Sequence, residues 1–365
     1  MARSVDLHQG PRPGSPARGS PGGAAGTDNR MPELRDVLQA RSRLQGKVER
    51  TPLVASPSLS KKLGGPVYLK LENLQTTGSF KLRGATNAVA ALPPGTNGVV
   101  TVSTGNHGRA LAHACRERGL PATVCVSELV PGNKVEAIRE LGARVHVGGR
   151  SQDEAALEAQ RLVREEGLVL LPPFDHPDVI AGQATLGLEI VEQLHEARAL
   201  QEDTRLRVLV PLSGGGLLAG VALAVKGLEP TAQILGVSSE RCCAMHRSLE
   251  AGRPVEVPEL ESLADSLGGG IGTENRYTFR LVRELNDDSL VVGEEHVARG
   301  IVHAYREERQ VLEGAAAAPL GAVLCGAVPP AAGSVTVLVV SGANIDMQAH
   351  LELLNRAQQA AVGRA

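Results

Sequence analysis

The sequence has few aromatic residues and no excess of charge of either sign. Its 365 residues include three Tyr, three Phe and no Trp, so it lacks the aromatic platforms on which proteins stack unpaired bases. Lys and Arg number 38 against 40 Asp and Glu, which gives a net charge of −2. Such a chain offers no net cationic surface to a phosphate backbone. We therefore expect no nucleic-acid partner.

Long apolar runs and metal-ligand motifs are also absent. No stretch approaches the roughly 18 apolar residues of a membrane-spanning helix, and the N-terminus has no cationic segment followed by an apolar one. The five cysteines are odd in number and do not show metal-ligand spacing. We expect a soluble cytoplasmic protein with reduced thiols, no membrane association and no bound metal.

The pattern of the chain changes at Met31. Residues 1–30 are rich in Gly and Pro and are predicted to form a disordered tail. Beyond them, apolar strand-like segments alternate with helical ones, which is typical of parallel sheets covered on both faces. We predict an α/β fold of two domains with doubly wound, mostly parallel sheets. The small domain is expected at 97–172, inserted into a large cofactor-binding domain formed by 31–96 and 173–365.

A run of three glycines follows the predicted strand Arg207–Val210 and precedes a predicted helix. Glycines allow the backbone to approach an anion, and a helix N-terminus supplies free N–H groups. This glycine loop (residues 213–217) therefore predicts a phosphate site, with a flexible turn as the alternative. It lacks the lysine of a P-loop and the spacing of a dinucleotide fingerprint. Nucleoside triphosphates and NAD are thus poor fits.

Three more segments carry groups suited to chemistry. The carboxylate loop (residues 103–108) combines hydroxyls, an amide and an imidazole at a helix start, although Thr104 there is also a typical N-cap. Lys81 stands after Phe80 at the start of a predicted helix, where burial would favour a neutral, nucleophilic amine; a solvated surface lysine is the alternative. Ser341 ends an apolar strand, where a simple turn is the alternative.

Together, and in their order along the chain, the four segments resemble the pyridoxal-phosphate enzymes of fold type II, the tryptophan-synthase β-subunit fold. Within that fold they are similar to the branch of threonine/serine dehydratases and serine racemases. The resemblance extends over residues 31–350 and includes Thr51-Pro52-Leu53 and Ala181-Gly182-Gln183.

The resemblance implies pyridoxal phosphate as cofactor and assigns residues to it. Lys81 would bind it covalently, Asn106 would contact its phenolic oxygen and Ser341 its pyridine nitrogen. Lys81 and Thr104 are the expected catalytic residues. The cofactor phosphate is expected at the backbone N–H groups of Ser213, Gly214, Gly215, Gly216 and Leu217. The substrate carboxylate is expected at Ser103, Thr104, Asn106 and His107.

The resemblance further implies β-elimination, in which a β-hydroxy amino acid yields a 2-oxo acid and ammonia. A hydroxyl such as Ser341 does not hold the pyridine nitrogen protonated, which favours expulsion of the β-substituent over transamination. Serine racemases carry a serine acid/base where this chain has Thr104, so a serine or threonine racemase is an alternative. A non-catalytic cofactor-binding protein is another. We expect a homodimer acting on a small amino acid.

One segment points to a narrower substrate. Ser262–Phe279 contains Gly268-Gly269-Gly270, and Glu313-Gly314-Ala315-Ala316 stands where ordinary threonine dehydratases usually have Glu-Pro. Both features resemble the dehydratases associated with hydroxyectoine utilisation. They predict a substrate larger or more polar than threonine, unless the glycines only form a connection between domains.

Overall fold

The computed structural model describes residues 30–103, 105–130, 132–201, 203–330 and 333–362. The predicted disordered tail therefore lies outside the described residues, apart from Arg30. The part of the chain from Met31 onward clusters as one compact unit. Its strands are β1 Leu53–Ala55, β2 Val67–Leu71, β3 Val99–Val102, β4 Ala122–Val126, β5 Arg144–Val147, β6 Val169–Leu170, β7 Arg205–Pro211, β8 Gln233–Ser239, β9 Asp288–Val292 and β10 Ser334–Val340.

Helices cover the strands. They are α1 Leu34–Leu44, α2 Pro57–Leu63, α3 Lys81–Ala91, α4 Asn106–Arg118, α5 Gly132–Glu140, α6 Gln152–Glu166, α7 Pro177–Glu196, α8 Gly216–Leu228, α9 Ala244–Ala251, α10 Thr278–Leu285, α11 Glu294–Arg306, α12 Gly314–Cys325 and α13 Met347–Val362. Over the described ranges, no helix is both long and apolar enough to cross a bilayer.

The strands form two sheets, in the orders β1-β2-β10-β7-β8-β9 and β5-β4-β3-β6. Every neighbouring pair is parallel except β1 with β2. The central strands β4 and β10 are buried along their whole length, as expected when helices cover both faces of a parallel sheet. The predicted α/β class with mostly parallel sheets is confirmed. The four-stranded sheet lies within residues 97–172, while the domain boundaries themselves stay a prediction.

Helix α3 connects the two halves of the molecule. It precedes residue 97, yet its apolar face, with Leu82, Ala85 and Val89, packs in the core of the four-stranded sheet. Its other side packs on α7, where a Cβ on Gly182 would lie 2.7 Å from the Cα of Gly84. The position of α3 is thus fixed from both sides.

A buried group of charges also holds α3. The guanidinium of Arg83 donates to both carboxylate oxygens of Glu72 at 2.8 Å and to Glu189 Oε1 at 2.6 Å. Lys70 Nζ donates to Glu189 Oε2 at 2.7 Å. Arg83, Lys70 and Glu72 are completely buried. Removing one partner of such a pair leaves an uncompensated charge and costs about 3–5 kcal/mol. The network therefore secures the helix that begins with Lys81.

Candidate active site

Lys81 is the first residue of α3, and its amine lies against the segment that connects β6 of one sheet to β7 of the other. Lys81 Nζ donates to the Pro173 carbonyl at 2.8 Å. Burial lowers the pKa of Lys81 to about 8, against the opposing effect of nearby Glu313. An appreciable fraction of the amine is therefore neutral near physiological pH, as a nucleophile requires.

The glycine loop connects β7 to α8 by a turn that only glycine fits. Gly215 has φ +87°, and a Cβ there would lie 2.7 Å from Met245 Cε. A Cβ on Gly214 would lie 2.3 Å from Phe174 Cδ1. Helix α8 begins at Gly216, and the N–H groups of a first helical turn have no carbonyl partner within the helix. The loop thus offers backbone donors to an anion at the predicted position.

Asn106 begins α4 and is held by two polar side chains. Its Nδ2 lies 2.9 and 3.0 Å from the two carboxylate oxygens of Glu313. Its Oδ1 accepts from Asn344 Nδ2 at 2.6 Å, and that amide also donates to the Thr77 carbonyl at 2.9 Å. The orientation of the Asn106 amide is therefore determined.

Glu313 is the residue whose role the sequence did not predict. It is 3% exposed and stands at the N-cap of α12. Burial raises the pKa of Glu313 to about 7, although the hydrogen bond from Asn106 and the charge of Lys81 lower it. A Cβ on Gly342 would lie 2.6 Å from Glu313 Oε1, so the glycine after Ser341 makes room for this carboxyl. Glu313 can therefore change protonation in the neutral range.

The end of β10 lies against the segment that carries Lys81. The Ser341 carbonyl accepts from the Phe80 N–H at 3.0 Å, and Ser79 forms a bridge with Gly342. Ser341 is 2% exposed. Lys81, Asn106, the glycine loop and Ser341, predicted from distant parts of the sequence, are thus brought to one region.

The carboxylate loop is only partly described. Thr104 lies outside the described residues, and Ser103 is half-buried. His107 Nε2 lies 3.1 Å from the Leu171 carbonyl. Because a carbonyl only accepts, Nε2 carries the proton, and Nδ1 is a buried acceptor without a partner within the described chain. Burial and the charge of Lys81 lower the pKa of His107 to about 3, so the ring is neutral.

The site has the features that pyridoxal phosphate needs. Two buried atoms next to Lys81, Ser79 Oγ and Thr77 Oγ1, have no hydrogen-bond partner among the described residues. At each of residues 214–216 a Cβ would collide with neighbouring side chains, so the glycine loop keeps this backbone course only with glycine. A buried amine, an anion site and free polar groups therefore fit an aldehyde cofactor with a phosphate.

Comparison with known proteins agrees with this fit. Residues 44–342 match the family described as pyridoxal-phosphate dependent enzyme. A Sinorhizobium fredii protein with the provisional name of a threonine dehydratase is 55% identical over 88% of this chain and 95% of its own. The L-threonine ammonia-lyase of Geobacter sulfurreducens is 40% identical over 86% of this chain and 75% of its own.

Solved structures show the same relationship. The threonine deaminase of T.th. has a TM-score of 0.78 and 38% identity, and the match covers 86% of this chain and 99% of that chain. Maize serine racemase has a TM-score of 0.81 and 30% identity, with 91% and 99% covered. The chain belongs to the family of pyridoxal-phosphate dependent enzymes, and pyridoxal phosphate is its cofactor.

Proposed function

We propose that the protein catalyses the β-elimination of a β-hydroxy amino acid. The Cα–H and Cβ–O bonds break, the hydroxyl leaves as water, and hydrolysis of the C–N bond releases ammonia and a 2-oxo acid. The observation that carries the proposal is the Lys81 amine, which bonds to the segment packed on the glycine loop and lies near the Glu313 carboxyl that accepts from Asn106. The names of the Geobacter ammonia-lyase and the T.th. deaminase support this reaction class.

The proposed mechanism assigns a role to each group of the cofactor site. Bound pyridoxal phosphate supplies an electron sink for the charge left at Cα. Lys81 Nζ would hold the cofactor, and as a free amine it would accept the Cα proton of the substrate. The backbone of the glycine loop holds the phosphate, Asn106 the phenolic oxygen and Ser341 the ring nitrogen.

The substrate carboxylate is proposed to bind Ser103, Thr104 and Asn106 at the start of α4. The sequence predicted His107 as a further carboxylate ligand, but the hydrogen bonding of its ring supports a different role. Its Nδ1 is a bare acceptor, which a carboxylate would avoid. In our proposal the ring therefore holds the carboxylate loop against Leu171.

A serine or threonine racemase is the second candidate, and the similarity to maize serine racemase favours it. A racemase must deliver a proton to the face of Cα opposite Lys81. The proton donor on that face would be the hydroxyl of Thr104. Compared with serine, its additional methyl group restricts the side-chain rotamers. Elimination needs only Lys81 and a leaving group, so we place it first.

We propose a substrate larger or more polar than threonine, formed in hydroxyectoine catabolism. A Cβ on Gly314 would lie 2.0 Å from the Leu263 carbonyl, so the glycine-rich segment packs against the residue that follows Glu313. A Cβ on Gly269 would meet no atom within 4 Å. Gly269 is exposed to solvent, so the support for a larger substrate is the contact of this segment with Gly314, beside Glu313.

The reaction is tested by measuring ammonia release and α-proton exchange on L-serine, L-threonine and hydroxylated diaminobutyrate and aspartate derivatives. We expect elimination to outrun inversion, with the fastest turnover on a derivative rather than L-threonine. Inversion that outruns elimination would establish the racemase, and fastest turnover of L-threonine would refute the substrate.

The role of Lys81 is tested by borohydride reduction and peptide mapping. We expect label on Lys81 alone, and loss of both label and ammonia release in Lys81→Ala. Label on Lys70 would refute the assignment, and Lys70 is a suitable comparison because it is a buried lysine that pairs with Glu189.

We also propose that the enzyme is a cytoplasmic homodimer. All five cysteines are free thiols, which is consistent with a reducing compartment. Sedimentation of the purified protein at micromolar concentration should give twice the chain mass of 38.1 kDa. A monomer would contradict the dimer.

A further inference from the structure

Asp175 makes an unusual set of contacts with a distant helix. Its Oδ2 accepts from the Arg276 N–H at 2.7 Å, and its Oδ1 accepts from the N–H groups of Tyr277 and Thr278 at 2.9 and 2.8 Å. Helix α10 begins at Thr278. A carboxylate at this position satisfies N–H groups that the helix leaves free and is favoured by the helix dipole.

The neighbours of Asp175 contact one side of the glycine loop. A Cβ on Gly214 would lie 2.3 Å from Phe174 Cδ1, and a Cβ on Gly216 would lie 2.9 Å from Phe174 Cβ. Pro173, one residue earlier, accepts the hydrogen bond from Lys81. The segment 173–175 therefore contacts the glycine loop and Lys81 together.

Helix α10 contacts the glycine loop from a different direction. A Cβ on Gly215 would lie 3.0 Å from Val282 Cγ2 and 3.2 Å from Thr278 Cβ. Both residues belong to α10. The glycine loop is thus packed between Phe174 and α10, and the carboxylate of Asp175 connects the segment 173–175 to α10.

We propose that Asp175 is a positioning residue for the cofactor phosphate. By fixing α10 to the segment 173–175, it sets the distance between the two elements that pack against the glycine loop. The proposal rests on the phosphate site proposed above. Simple electrostatics predicts the opposite effect. A carboxylate near a phosphate should weaken phosphate binding, so removal of the carboxylate should strengthen that binding.

The opposite signs of these two effects make Asp175→Asn decisive. The dissociation constants of pyridoxal phosphate and of pyridoxal, which lacks the phosphate, are measured on the cofactor-free protein by the absorbance of the bound form. Asparagine retains one acceptor oxygen and loses the other. We expect the preference for pyridoxal phosphate over pyridoxal to fall by about tenfold or more, in the range for lost hydrogen bonds to a charged group. An unchanged or increased preference would refute the proposal.

Asp178→Asn is the matched control. Asp178 lies three residues further on, and its carboxylate is 3.8 Å from Arg43 and 4.0 Å from His176 rather than on α10. We expect it to retain the wild-type preference, and an equal loss in both variants would refute a specific role for Asp175.

Two further variants separate the remaining explanations. If Asp175→Asn does not fold, Asp175→Glu is measured instead, because it keeps the charge and alters only the distance between the segment 173–175 and α10. An undiminished preference of Asp175→Glu for pyridoxal phosphate over pyridoxal would refute the proposal. Gly215→Asp should abolish the preference for the phosphate form. If it does not, the phosphate site lies elsewhere and the proposed site fails, whereas loss in Gly215→Asp but not in Asp175→Asn refutes the positioning role alone.

Discussion

Two titratable side chains in the cofactor site have pKa values displaced in opposite directions by burial. Glu313 holds its proton more firmly than a solvated glutamate, and Lys81 releases its proton more readily than a solvated lysine. Each shift favours the neutral form, because charge is costly in a buried region. Both groups therefore titrate close to the neutral range, so that each can gain or lose a proton near pH 7.

Glu313→Gln should change how stability depends on pH. The pKa of Glu313 is raised from 4.5 to about 7, so the native state binds more protons than the unfolded chain between these values. The free energy of unfolding of the wild type should consequently fall, relative to Glu313→Gln, as pH rises from about 4.5 to about 7. The change should approach about 3 kcal/mol. Urea unfolding of the cofactor-free proteins at pH 5 and pH 8 measures it.

Glu308→Gln is the control with the opposite sign. Burial acts to raise the pKa of Glu308, but hydrogen bonds with His303, Ser56 and Ser58 lower it on balance. The wild type should therefore gain stability over Glu308→Gln as pH rises from the acid range. Equal pH profiles for the two variants would contradict the environment described for Glu313.

At this scale the sequence predicted most of the residues that meet in the site. Lys81, Asn106 and Ser341 stand in recognisable local patterns. Glu313 does not, because a single acid before a glycine gives no sign that its carboxyl will contact an amide 207 residues away. Nor does the sequence show which nitrogen of His107 carries the proton, since the Leu171 carbonyl decides it.

Among the elements, the crossing of α3 and α7 bears most directly on the site. Gly84 and Gly182 allow the two backbones to approach closely, and α3 begins at Lys81. Any separation of these helices would move the amine relative to α4 and the glycine loop. Packing between helices thus controls the geometry of the cofactor site.

Gly182→Ala should therefore destabilise the protein. The new Cβ would lie 2.6 Å from the Arg83 carbonyl and 2.7 Å from Gly84 Cα, and neither backbone atom can move without shifting a helix. We expect a loss of about 1–3 kcal/mol and a changed absorbance of the bound cofactor. Thermal unfolding and absorbance spectra measure both effects.

Gly132→Ala is its matched control, since a Cβ there would meet nothing within 4 Å. It should leave stability unchanged or slightly higher, because alanine restricts the unfolded chain. A Gly182→Ala protein as stable as Gly132→Ala would show that the helices can separate freely.

In the six-stranded sheet, the sequence pattern indicates the interior strands more clearly than the two edge strands. Buried strands such as β10 are continuous apolar runs. The edge strands β1 and β9 are partly exposed and lack such a run, so they were not predicted. Helix α7 begins at Pro177 because His176 accepts the Asp178 N–H and a proline suits the first helical turn.

In the whole molecule, the cofactor site joins chain segments from both sheets. Lys81 and the glycine loop lie far apart in sequence, as do Asn106 and Ser341. The unfolded chain does not bring these groups together, so the cofactor binds the native state in preference. Its binding energy is consequently added to the stability of the fold.

Removal of the cofactor should lower the unfolding temperature. Pyridoxal phosphate at 100 times its dissociation constant should contribute about 2.7 kcal/mol. Calorimetry of the protein before and after treatment with hydroxylamine measures the difference. Lys81→Ala, which cannot hold the cofactor covalently, should show a smaller difference, and equal unfolding temperatures with and without cofactor in the wild type would contradict this account.

The pairing of β2 with β10 also affects the order of events during synthesis. About 260 residues separate these neighbours, so a ribosome adding about 5–20 residues per second needs roughly 13–50 s to deliver the second strand after the first. Throughout that interval β2 has an unpaired edge, and Ser341 has not been translated. The nascent chain therefore cannot form the complete cofactor site until its last strand has left the ribosome.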